Sequence, residues 1–272
     1  FPGSIVLNQL NALMLTNSAS GIINQYGAQW TLGTNSVFAH MGTINNIQNR
    51  LNVAGFMYGT GTVADPDGTG GGGGPFPAGI DGRLEVRPGT STMLSPGAAP
   101  YGSIGTMTVN TRFDLSGVDS SGGWATMLIE VDKSNPQTND QIVTYFFSNM
   151  AGKLIMTNIN LAMPFAAGDS FQVIKPLNAI GPDNKAGEGP QIEPFIPGPG
   201  LVWDLNDFRT NGIIKVVSNA MVWAGNVNSA WDGVTANWVG GITYSNMVGA
   251  RFDDTAVNFT VNLATNVFPA GF

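Results

Sequence analysis

The chain has 272 residues, 43% of them hydrophobic but only 11% charged, a formal net charge of −7 and no cysteine. Its length suffices for one large domain or two small ones with a real core. The few, scattered basic residues exclude nucleic acid as a partner, because phosphate binding needs clustered Lys and Arg, and the absence of Cys excludes disulfides, thiolate catalysis and Cys-ligated metals.

Glycine and proline are abundant (37 and 16), and Asn, Thr and Ser take the places that Lys and Glu usually hold. That composition suits pleated sheets rather than helices. No apolar run approaches the ~20 residues of a membrane-spanning helix. The opening "FPGSIVL" has neither an initiator Met nor a charged leader, so both termini are expected to be processed ends or fragment boundaries.

Helical periodicity is nearly absent. The best helix candidate is "NQLNALMLTN" (8–17), with Leu10, Leu13 and Met14 spaced i, i+3, i+4. Asn and Thr punctuate it, and it is read as a strand. Short β-type runs follow, separated by Gly, Asn or Pro: "AQWTLG", "RLNVAGFMYG", "GRLEVRPG", "GTMTVNTRFDL", "ATMLIEVD", "QIVTYFF", "KLIMTNINLAM", "SFQVIK", "GIIKVVS" and "AVNFTVNLAT". Alternation is clear in Met107 and Val109 against Thr106 and Thr108. It is clear again in Val257, Phe259, Val261 and Leu263 against Asn258, Thr260 and Asn262. Two stretches break the pattern. "ADPDGTGGGGGPFPAG" (64–79) is a loop or linker. The proline-punctuated 178–200 is poorly suited to a central strand and is expected to cross the outside of the fold extended. The expected organisation is an N-terminal β segment (1–63), the Gly/Pro-rich loop (64–79), a main β body (80–218) and a C-terminal β segment (219–272) that begins a new repeat or mediates assembly. The segments are expected to stack in one continuous body.

From about residue 83 onward an ordered series of phrases resembles the autotransporter-associated β-strand repeat proteins. It begins with Pro96-Gly97 before the alternating strand Thr106 to Val109, then Leu128-Ile129-Glu130, then Asp140 opening a strand. Gly168-Asp169 and Phe171 follow, and then Leu201, Trp203, Asp204 and Leu205 with Asn211-Gly212. A last phrase, Trp231-Asp232-Gly233, Asn237-Trp238 and Phe252-Asp253-Asp254, matches the start of a new repeat unit. The match covers about two thirds of the chain. It departs from the family pattern at "DQIVTYFF" and in the long Pro-rich 178–200. The resemblance implies a secreted bacterial protein with a parallel β-solenoid body, located at the cell surface or beyond. Solenoid physics agrees with the composition: coils of short strands pair by backbone hydrogen bonds and bury Val, Ile, Leu and Phe. Asn suits corners and axial ladders, and stacked like charges would repel. A β-sandwich is the alternative all-β fold.

Candidate chemistry is sparse. His40, the only histidine, sits in "VFAHMGT" without a nucleophile-elbow context and reads as a polar residue at a strand end. Carboxylates pair in sequence at Asp65/Asp67, Asp204/Asp207 and Asp253/Asp254. Glycosidases need two acids across a cleft, commonly among Trp and Tyr, and several parallel β-helix proteins cleave polysaccharides. Yet Asp204 and Asp253 fall on the repeat's structural turns. Asp65-Pro66-Asp67-Gly68 hints at a calcium loop but lacks the later acidic ligand, with Phe76 where a Glu would stand. The pentaglycine lacks the Lys-Ser/Thr of a phosphate cradle. Trp124, Trp203, Trp223, Trp231 and Trp238 are either sugar-stacking faces or seals of a core or interface. The expectation is a non-enzymatic structural or adhesive protein with no catalytic centre, cofactor or metal, self-assembling through its terminal strands "FPGSIVLNQL" and "FTVNLATNVFPAGF". A surface polysaccharide is the other partner weighed, and a glycan-binding or glycoside-cleaving β-helix the alternative function.

Overall fold

The computed structural model describes residues 5–7, 14–26, 30–47, 50–64, 82–134, 138–177, 190–246 and 248–269. It is all-β, with 49% strand and 1% helix, and its strands are predominantly parallel. The chain divides into two compact units. One comprises Phe1–Pro164, Phe171–Pro194 and Leu205–Ile214, and the other Phe165–Ser170, Phe195–Asp204 and Lys215–Phe272.

The first unit is a parallel solenoid whose coils each visit three sheet faces in turn. The first face stacks Ile5–Leu7, Trp30–Leu32, Arg50–Val53 and Arg83–Val86, followed by the second halves of Thr106–Leu115 and Gln141–Met150. The second stacks Met14–Asn17, Val37–His40, Phe56–Gly59, Met93–Pro96, Thr126–Asp132, Lys153–Asn158 and Gln191–Glu193. The third stacks Ile22–Tyr26, Thr43–Ile47 and Thr62–Ala64, then the first halves of Thr106–Leu115 and Gln141–Met150, and finally Ile174–Pro176. Equivalent positions in the early coils, such as Leu32 and Val53 or Ile44 and Val63, lie ~20 residues apart. The two longest strands bend between the third and first faces. There the Thr111 hydroxyl donates to the Gly82 carbonyl, and the Thr144 hydroxyl donates to the Thr111 carbonyl at 2.9 Å. Stacked hydroxyls thus satisfy the backbone where the ladder register breaks.

Because the strands are in register, like residues stack into rows. Phe38, Met57, Leu94, Met127, Leu154 and Ile192 form one buried row on the second face. Leu32, Val53, Val86, Leu115 and Met150 form another on the first. Each such side chain contributes about 1.5–3 kcal/mol by leaving water. The stretch 178–200 differs in part from its expected course. Gln191–Glu193 is a strand of the second face, at its edge, with Ile192 buried. Proline is tolerated just beyond it because an edge strand needs no further ladder partner. Residues 178–189, 8–13 and the Gly-rich loop with Asp65 and Asp67 lie outside the described residues.

Two charged rows of the first face also depart from expectation. Arg50, Arg83 and Arg112 are register neighbours, as are Glu85 and Asp114, so like charges do stack. The two rows neutralise one another: Arg83 contacts Glu85 at 2.9 Å and Asp114 at 3.1 Å, and Arg112 contacts Asp114 at 2.8 Å. Corners rely on glycine more than on Asn. Asn149 alone among described non-glycine residues has a left-handed φ, 47°. Gly212 shows why glycine is needed: at φ +68° it caps the short helix Phe208–Asn211, and a Cβ there would lie 2.0 Å from the Ile174 carbonyl oxygen.

Within the second unit, Leu201–Asp204 pairs antiparallel with residues 215–218. Ala220–Val222 pairs in parallel with Gly249–Arg251, and Ala230–Trp231 with Asn262–Leu263. These two parallel pairs are one coil laid on the next. The expected alternating strand 257–263 is corrected here. Only Asn262–Leu263 is a strand, and Val257, Phe259 and Leu263 are 76%, 72% and 66% exposed. Asn258 turns the chain instead, its side-chain oxygen accepting the Thr260 N–H at 2.9 Å.

Candidate functional site

The phrase Trp231-Asp232-Gly233 to Asn237-Trp238 is organised around a buried amide. Asn237 is fully buried. Its Oδ1 accepts the Val227 and Asn228 N–H groups at 3.0 Å each, and its Nδ2 donates to Asn228 Oδ1 and the Ala230 carbonyl at 2.8 Å. Its own carbonyl takes the Ala224 and Gly225 N–H groups at 2.8 Å. One side chain therefore fixes the loop that delivers Trp231. Asp232 closes the next turn by accepting the Val234 and Thr235 N–H groups and the Thr235 hydroxyl, which hold its carboxyl below the usual range.

Between these turns the aromatics form a solid cluster. Trp238 meets Trp223 edge-on at 5.4 Å, Trp231 at 5.5 Å and Tyr244 at 5.0 Å, and Trp231 meets Tyr244 at 5.1 Å and Phe252 at 5.3 Å. Trp223, Trp231 and Trp238 are each buried to within 3% of completely, and the Trp223 indole N–H donates to the Asn258 carbonyl at 2.7 Å. Rings buried on this scale cannot lie flat against a sugar. They are the core of the second unit. What the cluster supports is an edge. Gly249–Arg251 and Asn262–Leu263 each pair on one side with the preceding coil, and among the described residues no strand covers their other side. Exposed Val257, Phe259, Leu263 and Phe268 accompany this edge.

Glu130 and Asp140, singled out by the repeat phrases, act together in the first unit. Both are buried. Glu130 accepts the Gly102 and Ser103 N–H groups at 2.5 and 2.9 Å, and Asp140 accepts those of Gly105 and Glu130 at 2.8 and 2.9 Å. The pair clasps the loop after Pro96-Gly97, whose tip carries exposed Tyr101. Burial, with a smaller contribution from the neighbouring Glu130 charge, pushes Asp140 up to about 7 against the pull of its two N–H donors.

His40 ends its strand in a buried corner. Its Nε2 donates to the Thr62 carbonyl at 3.1 Å and its Nδ1 accepts from Asn17 Nδ2 at 3.2 Å, an arrangement that assigns the neutral Nε2–H tautomer. Burial lowers its pKa to about 4. A Cβ at Gly59 would sit 1.8 Å from the His40 carbonyl oxygen, and at φ +148° glycine alone fits. Of the acid pairs, Asp253 is bound by Arg251 Nε and a terminal guanidinium nitrogen at 2.9 and 2.6 Å and by the Thr255 hydroxyl at 2.5 Å. The hydroxyl, first, and the guanidinium hold it down at about 2, ionised rather than poised to give a proton. Asp204 stands opposite Lys215 in the antiparallel pair, and Asp207 precedes the short helix. Trp124 has Lys153 Nζ over its ring at 5.6 Å, and Trp203 packs edge-on against Phe165 at 5.2 Å.

Asn237 and Glu130 stand in the repeat phrases of the sequence, but their hydrogen-bonding roles are not legible there. A buried Asn or Glu has no periodic signature, and only its position before a tight turn hints at it. Comparison with protein-family models, curated proteins and solved structures finds no match to this chain.

Proposed function

We propose that this chain is a non-enzymatic structural and adhesive protein, exported by a bacterium to its surface, that self-assembles by adding strands across open solenoid edges. The observation that carries the reading is the exposed parallel strand Asn262–Leu263, which among the described residues pairs on one side only, accompanied by Val257 and Phe259 at 76% and 72% exposure. Unpaired backbone N–H and C=O groups beside apolar side chains invite another strand. Soluble proteins usually guard such an edge with Lys, Pro or a bulge, and 257–263 carries no charge. A contact between unlike ends does not close and grows a filament. The resemblance to autotransporter-associated β-strand repeats supplies the secreted setting. Polysaccharide cleavage is disfavoured because Asp253, one of the weighed acids, has both oxygens engaged.

The test compares wild type with Val257→Lys/Phe259→Lys by sedimentation and electron microscopy. Wild type is expected to form concentration-dependent polymers, while the doubly charged variant stays monomeric with an unchanged circular dichroism spectrum. A wild type that remains monomeric at high concentration, or a variant that polymerises equally well, overturns strand-mediated assembly.

A further inference from the structure

The segment Leu263–Phe268 is bordered by three adjoining clefts in the second unit, of about 490, 400 and 690 Å³. The first is polar, between the Asp232-Gly233 turn and Ala264–Val267, with Tyr244 and Asn246 in its wall. The second is apolar, lined by Phe252, Val261, Leu263, Val267 and Pro269 over the almost wholly buried Trp231. The third spans Leu263–Phe268 itself. A wall of carboxylate and amide groups with the Thr265 hydroxyl, beside an apolar groove, complements a pyranose, since sugars carry hydroxyl edges and C–H faces.

The hydrogen-bonding capacity of the polar wall is complementary to vicinal hydroxyls. Asp232 Oδ2 accepts the Thr235 hydroxyl and retains a further lone pair, and the carboxylate is held ionised. Asn246 uses Oδ1 to accept the Phe268 N–H at 2.9 Å, which leaves its amide N–H groups to donate. Thr265 and Asn266 add exposed hydroxyl and amide groups on the facing side. Acceptor and donors thus converge on one cleft. Among the described residues no Lys, Arg or His lines any of the three, and an anionic glycan would meet Asp232 without compensation.

We infer that this cleft system binds a neutral oligosaccharide, with hydroxyls on Asp232, Asn246 and Asn266 and apolar faces along the exposed Phe252 and Leu263. The inference does not depend on strand-mediated assembly, which is read out separately by sedimentation. The experiment is isothermal titration of the whole chain with neutral hexaoses of glucose, xylose and mannose, and with an oligogalacturonate as the anionic comparison. Saturable binding of at least one neutral hexaose is expected, with weaker or no binding of the oligogalacturonate. Thr265→Ala/Asn266→Ala, at exposed positions, should weaken it at least tenfold while thermal unfolding is unchanged. Asp232→Asn, which keeps one acceptor oxygen for its turn, should weaken it further. The proposal is overturned if no neutral hexaose binds, if the anionic sugar binds more tightly, or if the double variant binds like wild type.

Discussion

Replacing His40 by Gln should unmask a loss of stability with rising pH that His40 offsets in the wild type. Two buried groups in the first unit act in opposite directions. Asp140 rises from 3.8 to about 7 on folding, so the native state holds a proton that the unfolded chain gives up. Its contribution to stability is full below the unfolded value and is lost as pH rises from about 4 to about 7. His40 falls from 6.5 to about 4, so the unfolded chain takes up a proton that the native state refuses. Its penalty is absent above 6.5 and grows as pH falls to about 4. At ~1.4 kcal/mol per pKa unit, the Asp140 loss is about 4 kcal/mol and the His40 penalty about 3 kcal/mol. Between pH 4 and 6.5 they nearly cancel. Gln retains an acceptor for Asn17 and a donor for the Thr62 carbonyl but does not titrate. In His40→Gln the Asp140 slope is therefore unmasked, and unfolding free energy should drop by about 3–4 kcal/mol from pH 4 to pH 7, against less than about 1 kcal/mol from these two groups in wild type. Urea midpoints measured by far-ultraviolet circular dichroism at unit pH steps give both curves. A variant profile that stays flat, or rises with pH, refutes the opposing-titration argument.

Glu130→Gln puts an amide N–H₂ against the Gly102 or Ser103 N–H, losing a charge-assisted bond and leaving a buried donor unmet. The expected cost is about 2–4 kcal/mol, with faster hydrogen exchange at both amides; unchanged exchange there would show that the loop does not depend on the clasp. Trp238→Ala empties the centre of the aromatic cluster and should cost the second unit about 3–5 kcal/mol, measured as an earlier transition in Trp223 emission. A loss below about 1 kcal/mol would mean that the cluster is not its core.

The sequence alone carried the fold class, because strand alternation and Gly or Asn punctuation are local properties. Met107 and Val109 alternate with Thr106 and Thr108, and the structure buries the first pair. The same logic failed at Val257, Phe259 and Leu263. Alternation specifies which side chains share a face, but whether that face is covered depends on a neighbouring strand that the local pattern does not contain. The role of the Trp231–Trp238 phrase also waited for tertiary structure. Six intervening residues bring the two indoles into one cluster only because Asn237 ties the loop behind them, and a long-range amide hub leaves no period to read. His40 and Asp140 were visible as single letters, yet their opposed pKa shifts come from burial, which is created when distant coils stack. Local sequence chose strands and turns; the in-register stacking of coils decided which polar groups lost water, and with it where charge, aromatic core and open edge fall.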